Sequence, residues 1–259
     1  MKTTTNRASA LAKTLGAFAL MALPLPAAAG ACRTMAFLGT TYTLCPATFG
    51  KDDLRLWASA PDGQPILSFG RLNDLLAREG KTIGFAMNAG MFAPDRHPIG
   101  LTIVDGKQVT PLVTRAGPGN FGMLPNGVFC VGSTRYAVIE SRTYAANPPA
   151  CRFATQSGPM LVIAGALHPM FRDGSTSLHI RNGVGVSPDG KTAIFAISDE
   201  PVNFYDFARL FRDALKMPDA LYLDGSISRL AVPALGRQDA GFPMGPIIGT
   251  VVDAAGPSQ

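Results

Sequence analysis

Four stretches of this 259-residue chain set polar side chains beside glycine at the edge of an apolar run. They are GFAMNAGMF (84–92), TQSGPML (155–161), SLHIRNGVG (177–185) and ALYLDGSIS (220–228). Asp224 ends the last of these runs, and a carboxylate in apolar surroundings is suited to proton transfer or to stabilising developing positive charge. Its plain alternative is a turn former. Asn88 ends a strand-like run in the same way; there the amide would project into a cleft while Gly90 lets a ligand approach the backbone closely. Gln156 and Ser157 precede a Gly-Pro turn, where they suit hydrogen bonds to a polar ligand or simply the turn itself. In a strand, Ser177, His179 and Arg181 alternate onto one face, and a strand-held guanidinium is a bidentate clamp for phosphate or carboxylate. An ordinary structural ion pair is the competing explanation. His97, in the loop DRHP, offers an acid or base but reads more simply as a solvated side chain.

Other chemistries lack their motifs. GVSPDGKT (185–192) fits the phosphate-loop pattern letter for letter, yet Thr192 leads into the alternating run AIFAIS, and Pro188-Asp189-Gly190 reads as a hairpin turn. A true phosphate loop opens a helix. No GxSxG elbow surrounds Ser226 or Ser228, which weakens an amidase or esterase reading with Ser157 or Ser226 as nucleophile. There is no HExxH, no EF-hand calcium loop and no His/Cys cluster for a transition metal. No cofactor is called for, and a divalent cation is left open.

The elements that must position these residues begin after an export signal. Lys2, Arg7 and Lys13 precede LGAFALMALPLP and then AAAGA, the charged–apolar–small order of a signal peptide over residues 1–29. A membrane anchor would need roughly 20 apolar residues, and Pro24 and Pro26 interrupt the run. Removing the three basic residues takes Lys+Arg from 23 to 20 against 18 acidic residues, so the apparent charge of +5 belongs largely to the signal. No basic run with interleaved aromatics remains, which argues against nucleic acid as a partner. Cys32, Cys45, Cys130 and Cys151 then meet an oxidising compartment, periplasmic or extracellular. Cys32 with Cys45 and Cys130 with Cys151 are the favoured disulfides, because each pair brackets a short segment that can fold back. Lipid anchoring at Cys32 is disfavoured, since Ala29 stands where a lipobox has leucine. No transmembrane helix is expected after processing.

Residues 32–253 read as one α+β domain, mainly antiparallel or mixed sheets with a few packed helices. Strand-like runs dominate, separated by Asp-Gly or Asn-Gly pairs at Asp62, Asp105, Asn126, Asp173, Asn182 and Asp189, the chemistry of tight hairpins. Helical spacing is clear over residues 70–79 and 203–216; Asn203 and Asp206 mark the start of the second, and Pro218 lies beyond its end.

Taken in order, NAGMF, PIGLTIVDGK, PNGVF, TQSGPML, RNGVGV and LYLDGSIS resemble the phosphodiester glycosidase family, in particular its exported bacterial branch. The resemblance implies hydrolysis of a sugar-1-phosphodiester to free sugar and phosphomonoester. It implies that Asn88 and Gly90 line the substrate pocket, that Gln156 and Ser157 contact the ligand and that Asp224 with Gly225 sits at the reacting centre. Asp224, Arg181 and Asn88 are the catalytic candidates, and the residue pattern adds His179 and Ser226 to the substrate side. Arg181 would hold the phosphate. LDGS replaces the LDGG often found in the family, which puts the pocket around Ser226 in question. The partner expected is therefore a phosphorylated glycan, with a non-catalytic glycan-phosphate or envelope-protein binding module as the alternative.

Overall fold

Backbone groups in an extended chain need lateral partners, and the turn chemistry spaced along this sequence folds successive apolar runs back against one another. The computed structural model describes residues 1–3, 31–224 and 227–254. In chain order the elements are β1 (Arg33–Phe37), β2 (Thr40–Thr48), β3 (Asp53–Trp57), α1 (Phe69–Ala77), β4 (Lys81–Asn88), β5 (Thr102–Val104), β6 (Lys107–Thr110), β7 (Gly127–Gly132), β8 (Tyr136–Glu140) and α2 (Ser141–Ala146). There follow β9 (Cys151–Ser157), β10 (Met160–Ile163), β11 (Ala166–Leu167), β12 (Asn182–Val186), β13 (Thr192–Ser198), α3 (Phe204–Arg209), β14 (Asp219–Asp224), β15 (Leu230–Val232), β16 (Arg237–Gln238) and β17 (Ile247–Asp253). The strands make three sheets, ordered β1-β2-β13-β12-β14-β10-β11, β16-β15-β4-β17-β3 and β6-β5-β9-β7-β8. Neighbouring strands are antiparallel in each, as in the β12–β14, β4–β17 and β7–β9 pairs.

All three sheets feed one apolar cluster: Phe195 and Leu223 from the first, Phe85 and Leu230 from the second, Phe129 and Phe153 from the third. That shared core makes the fold a single α+β domain. Helices cover the outer faces. α1 lays Leu72 and Leu76 against Ile83 and Val251 of the second sheet, and α3 lays Phe207 against Tyr222 and Leu161 of the first. Asn203 caps α3, its Oδ1 accepting from the Asp206 amide at 2.8 Å. The helical run continues through Leu210–Ala214 as a wider turn, with the Leu215 amide donating to Leu210 O, before Pro218. α2 was not anticipated, because its six residues are too few to display a helical period.

The NGVGV sequence of β12 follows from this layering. Val184 and Val186 face the shared core, while Gly183 and Gly185 face the aromatic rings of the α3 layer. A Cβ at Gly185 would lie 2.6 Å from the Phe211 ring and 2.9 Å from the Met217 side chain. Gly185→Ala should therefore lower stability by about 1–3 kcal/mol through overpacking, measurable as a fall in the urea midpoint at unchanged slope.

Glycine's conformational freedom is needed at the β5–β6 turn, where Asp105 and Gly106 both take positive φ, 47° and 76°. The phosphate-loop look-alike is also a turn: Ser187 to Lys191 joins β12 to β13, with the Lys191 amide donating to Asp189 Oδ1. Two of the six expected turn pairs are not turns. Asn126 is buried just before β7, and Asn182 opens β12.

Cys32 pairs with Cys45 at an S–S distance of 2.08 Å, and Cys130 pairs with Cys151 at 2.04 Å. Residues 4–30, which hold nearly all of the expected signal peptide, lie outside the described residues. Among the described residues no helix is long and apolar enough to cross a membrane.

Burial holds the His168 imidazole below its ordinary pKa, with the Leu124 carbonyl offsetting part of the effect. Its Nδ1 accepts from the Met170 amide at 3.2 Å, which requires an unprotonated nitrogen. Because the folded-state pKa is the depressed one, the unfolded chain binds the proton first. His168 thus contributes stability that is complete above about pH 6.5 and lost as the pH falls below it. The urea midpoint should drop between about pH 7.5 and about pH 5.5, and His168→Gln should flatten that dependence.

Candidate functional site

Asn88 ends β4, Asn182 opens β12 and Asp224 ends β14; the antiparallel register sets Asn182 opposite Asp224. The site thus forms where the first sheet meets the second. Asn182 Nδ2 donates to the Asn88 carbonyl at 2.9 Å and to Asn88 Oδ1 at 3.2 Å. Its Oδ1 accepts from the Asp224 amide at 3.1 Å. Asn88 Nδ2 in turn donates to Asp224 Oδ2 at 3.2 Å, and the Arg229 amide donates to Asn88 Oδ1 at 2.8 Å. Ser228 Oγ closes the group, donating to the Asp224 carbonyl at 3.0 Å. Buried side-chain amides with this many partners hold one arrangement, since any rotation leaves a buried polar atom unpaired.

Asp224 is 6% exposed, and it reaches a cleft of about 390 Å³. Met91, Phe92, Phe121 and Ile227 give the cleft apolar walls, and Arg96 brings a cation. A carboxylate oriented by an amide, facing such a cleft, can stabilise an adjacent positive centre or accept a proton. Gly225 and Ser226 lie outside the described residues.

The other expected site residues are placed elsewhere. Gly90 does permit a close approach, but of the protein's own backbone: a Cβ there would lie 2.4 Å from the Gln156 carbonyl. Gln156 spends its whole amide on local structure. Its Oε1 accepts from Leu101 N and Val113 N, each at 3.0 Å, and its Nε2 donates to Val113 O and Ser141 Oγ. Ser157 is buried, its hydroxyl donating to the Leu223 carbonyl at 2.7 Å.

Ser177, His179 and Arg181 do not share a strand face. The segment before β12 is not a strand: His179 makes a single bridge to Val202, Arg181 O accepts from the Ser198 amide of β13, and the Ser177 amide bonds locally to Ser175 Oγ. His179 is exposed on a separate cleft of about 540 Å³ with Arg229 and Arg237. Arg181 is wholly buried and turns toward α3. Its Nε donates to Val202 O at 2.7 Å, Nη1 to Tyr222 Oη at 3.1 Å and Nη2 to Ser177 O at 2.9 Å, with Phe204 stacked 3.7 Å away. Desolvation lowers its pKa, and the same burial raises that of Tyr222.

Sequence reasoning passed over Asn182, Ser228 and Arg96. The signal for Asn182 was present in RNGVGV, where glycines alternating with valines mark a strand rather than a turn.

Residues 81–240 match the family described as phosphodiester glycosidase. The chain belongs to that family. The matched stretch contains Asn88, Asn182 and Asp224 together. The uncharacterized protein YigE of Escherichia coli (strain K12) is 34% identical over 192 residues, 73% of this chain and 72% of YigE. The fold is shared with the catalytic domain of zebrafish N-acetylglucosamine-1-phosphodiester α-N-acetylglucosaminidase, auto-inhibited by its pro-peptide. That likeness has a TM-score of 0.58 at 12% identity and covers 85% of this chain and 81% of the other. A putative exported protein of Burkholderia pseudomallei K96243 gives a TM-score of 0.55 at 12% identity, covering 82% and 74% respectively. Within the family, then, this chain carries its polar residues at the junction of two sheets.

Proposed function

We propose that this family member hydrolyses a sugar-1-phosphodiester on an envelope or polysaccharide-linked glycan. The observation that carries the reading is Asp224, oriented by Asn88 and opening on the apolar-walled cleft. Cleavage at an anomeric carbon passes through a cation-like centre, which a nearby carboxylate stabilises. The bond from the anomeric carbon to the bridging oxygen breaks, and its electron pair leaves with the phosphate. Water adds hydroxide to the carbon and releases one proton, giving free sugar and a phosphomonoester. The leaving group is already a stabilised anion, so one carboxylate suffices where ordinary glycosidases use two.

Residues 1–29 are proposed as a signal peptide and 32–253 as the mature domain, periplasmic or secreted; the paired cysteines fit an oxidising compartment. The test is sugar release from a panel of sugar-1-phosphodiesters in water enriched in ¹⁸O. The expected result is release with the label on the sugar. Label on the phosphate would place the attack at phosphorus and remove the role given to Asp224. Saturable binding with no release from any member of the panel would point instead to a glycan-phosphate binding module.

A further inference from the structure

We infer that Arg96 is the cation that holds the phosphate of the substrate, an assignment that rests on the hydrolase reading above. A phosphodiester needs positive charge at the same cleft as the carboxylate, and Arg181 is enclosed on the α3 side of the sheet with every nitrogen occupied. Arg96 and Asp224 line one cleft, where they are the only charged side chains of the described wall.

The setting of Arg96 favours an anion. Its guanidinium lies 5.4 Å over the Phe92 ring and, among the described residues, makes no ion pair or hydrogen bond. By contrast Arg55, Arg71, Arg152, Arg209, Arg212 and Arg237 each face a carboxylate. Arg96 sits in a tight turn, its amide donating to the Ala93 carbonyl at 2.8 Å and its φ at 73°. Phe92, the ring beneath it, is locked against the backbone of Gly245, where a Cβ would lie 2.4 Å from Phe92 Cγ. The base of the clamp is therefore fixed while the guanidinium is available. The apolar walls reduce screening between cation and anion. Charge on the departing phosphate grows from one toward two as the bond breaks, so Arg96 should bind the transition state more tightly than the ground state.

The test compares wild type, Arg96→Gln and Arg96→Lys in the mature protein. Affinity is measured calorimetrically for N-acetylglucosamine-1-phosphate and glucose-1-phosphate, with the methyl glycosides as uncharged probes, beside turnover of the diester panel. Wild type should prefer a sugar phosphate to its glycoside, and Arg96→Gln should lose about 10- to 100-fold of that preference, with glycoside affinity unchanged. Arg96→Lys should recover part of the phosphate affinity, because the charge stays while the bidentate geometry is lost. The urea midpoint should not move, since Arg96 anchors no buried partner. If wild type turns over diesters while Arg96→Gln binds sugar phosphates and cleaves as wild type does, the assignment of Arg96 is overturned and the hydrolase reading stands. If wild type neither binds sugar phosphates nor cleaves diesters, both fall.

Discussion

Asp224→Asn should reduce diester turnover by about 10³-fold or more, equivalent to ~4 kcal/mol of transition-state stabilisation, with little change in stability. The two halves of this expectation have separate causes. The amide removes the negative charge and the proton-accepting ability that the reacting carbon requires. It keeps an oxygen that accepts from Asn88 Nδ2, and the backbone amide of residue 224 still donates to Asn182 Oδ1. The contacts to Asn88 and Asn182 therefore survive the substitution. The measurement is initial rate on the diester panel alongside the urea midpoint. Unchanged turnover in a folded Asp224→Asn protein would remove Asp224 from the chemistry.

Arg181→Ala should behave in the opposite manner, losing about 3–5 kcal/mol of stability. Truncation removes the guanidinium donor from the Ser177 carbonyl and the Tyr222 hydroxyl, leaves the Val202 carbonyl with only the His179 amide, and opens a cavity beneath Phe204. Among the described side chains, Arg181 is the largest of those wholly enclosed. Arg181→Met fills most of that volume and removes only the guanidinium donors, so its loss should be smaller, about 1–3 kcal/mol. Turnover measured well below the melting temperature should survive in Arg181→Met. Stability equal to wild type in Arg181→Ala would refute the structural role; lost turnover in a stable Arg181→Met would return Arg181 to the phosphate.

How much of this was legible in advance depended on the range of the interaction involved. Alternating apolar runs marked the strands of the first sheet, and Asn203 with Asp206 marked the start of α3, because periodicity and capping are local. Asn88 and Asp224 stood out because each ends an apolar run, a pattern visible within ten residues. Asn182 did not. An Asn-Gly pair makes a hairpin at one place and a strand start at another, and the choice falls to partners 94 residues away in Asn88 and 42 residues away in Asp224.

Arg181 illustrates the same limit from the other side. Its residue type offered a phosphate clamp, but nothing within the segment specified which face α3 would cover. By itself the sequence determined the strand-rich single domain, the family, and a polar residue at the end of each of two buried strands. Only the tertiary structure decided which amides meet at the junction of the sheets, which guanidinium is enclosed and which one faces the cleft with Asp224. The physical reason is that a strand's alternation is written in adjacent residues, whereas the burial of either face is set by whatever distant segment packs against it.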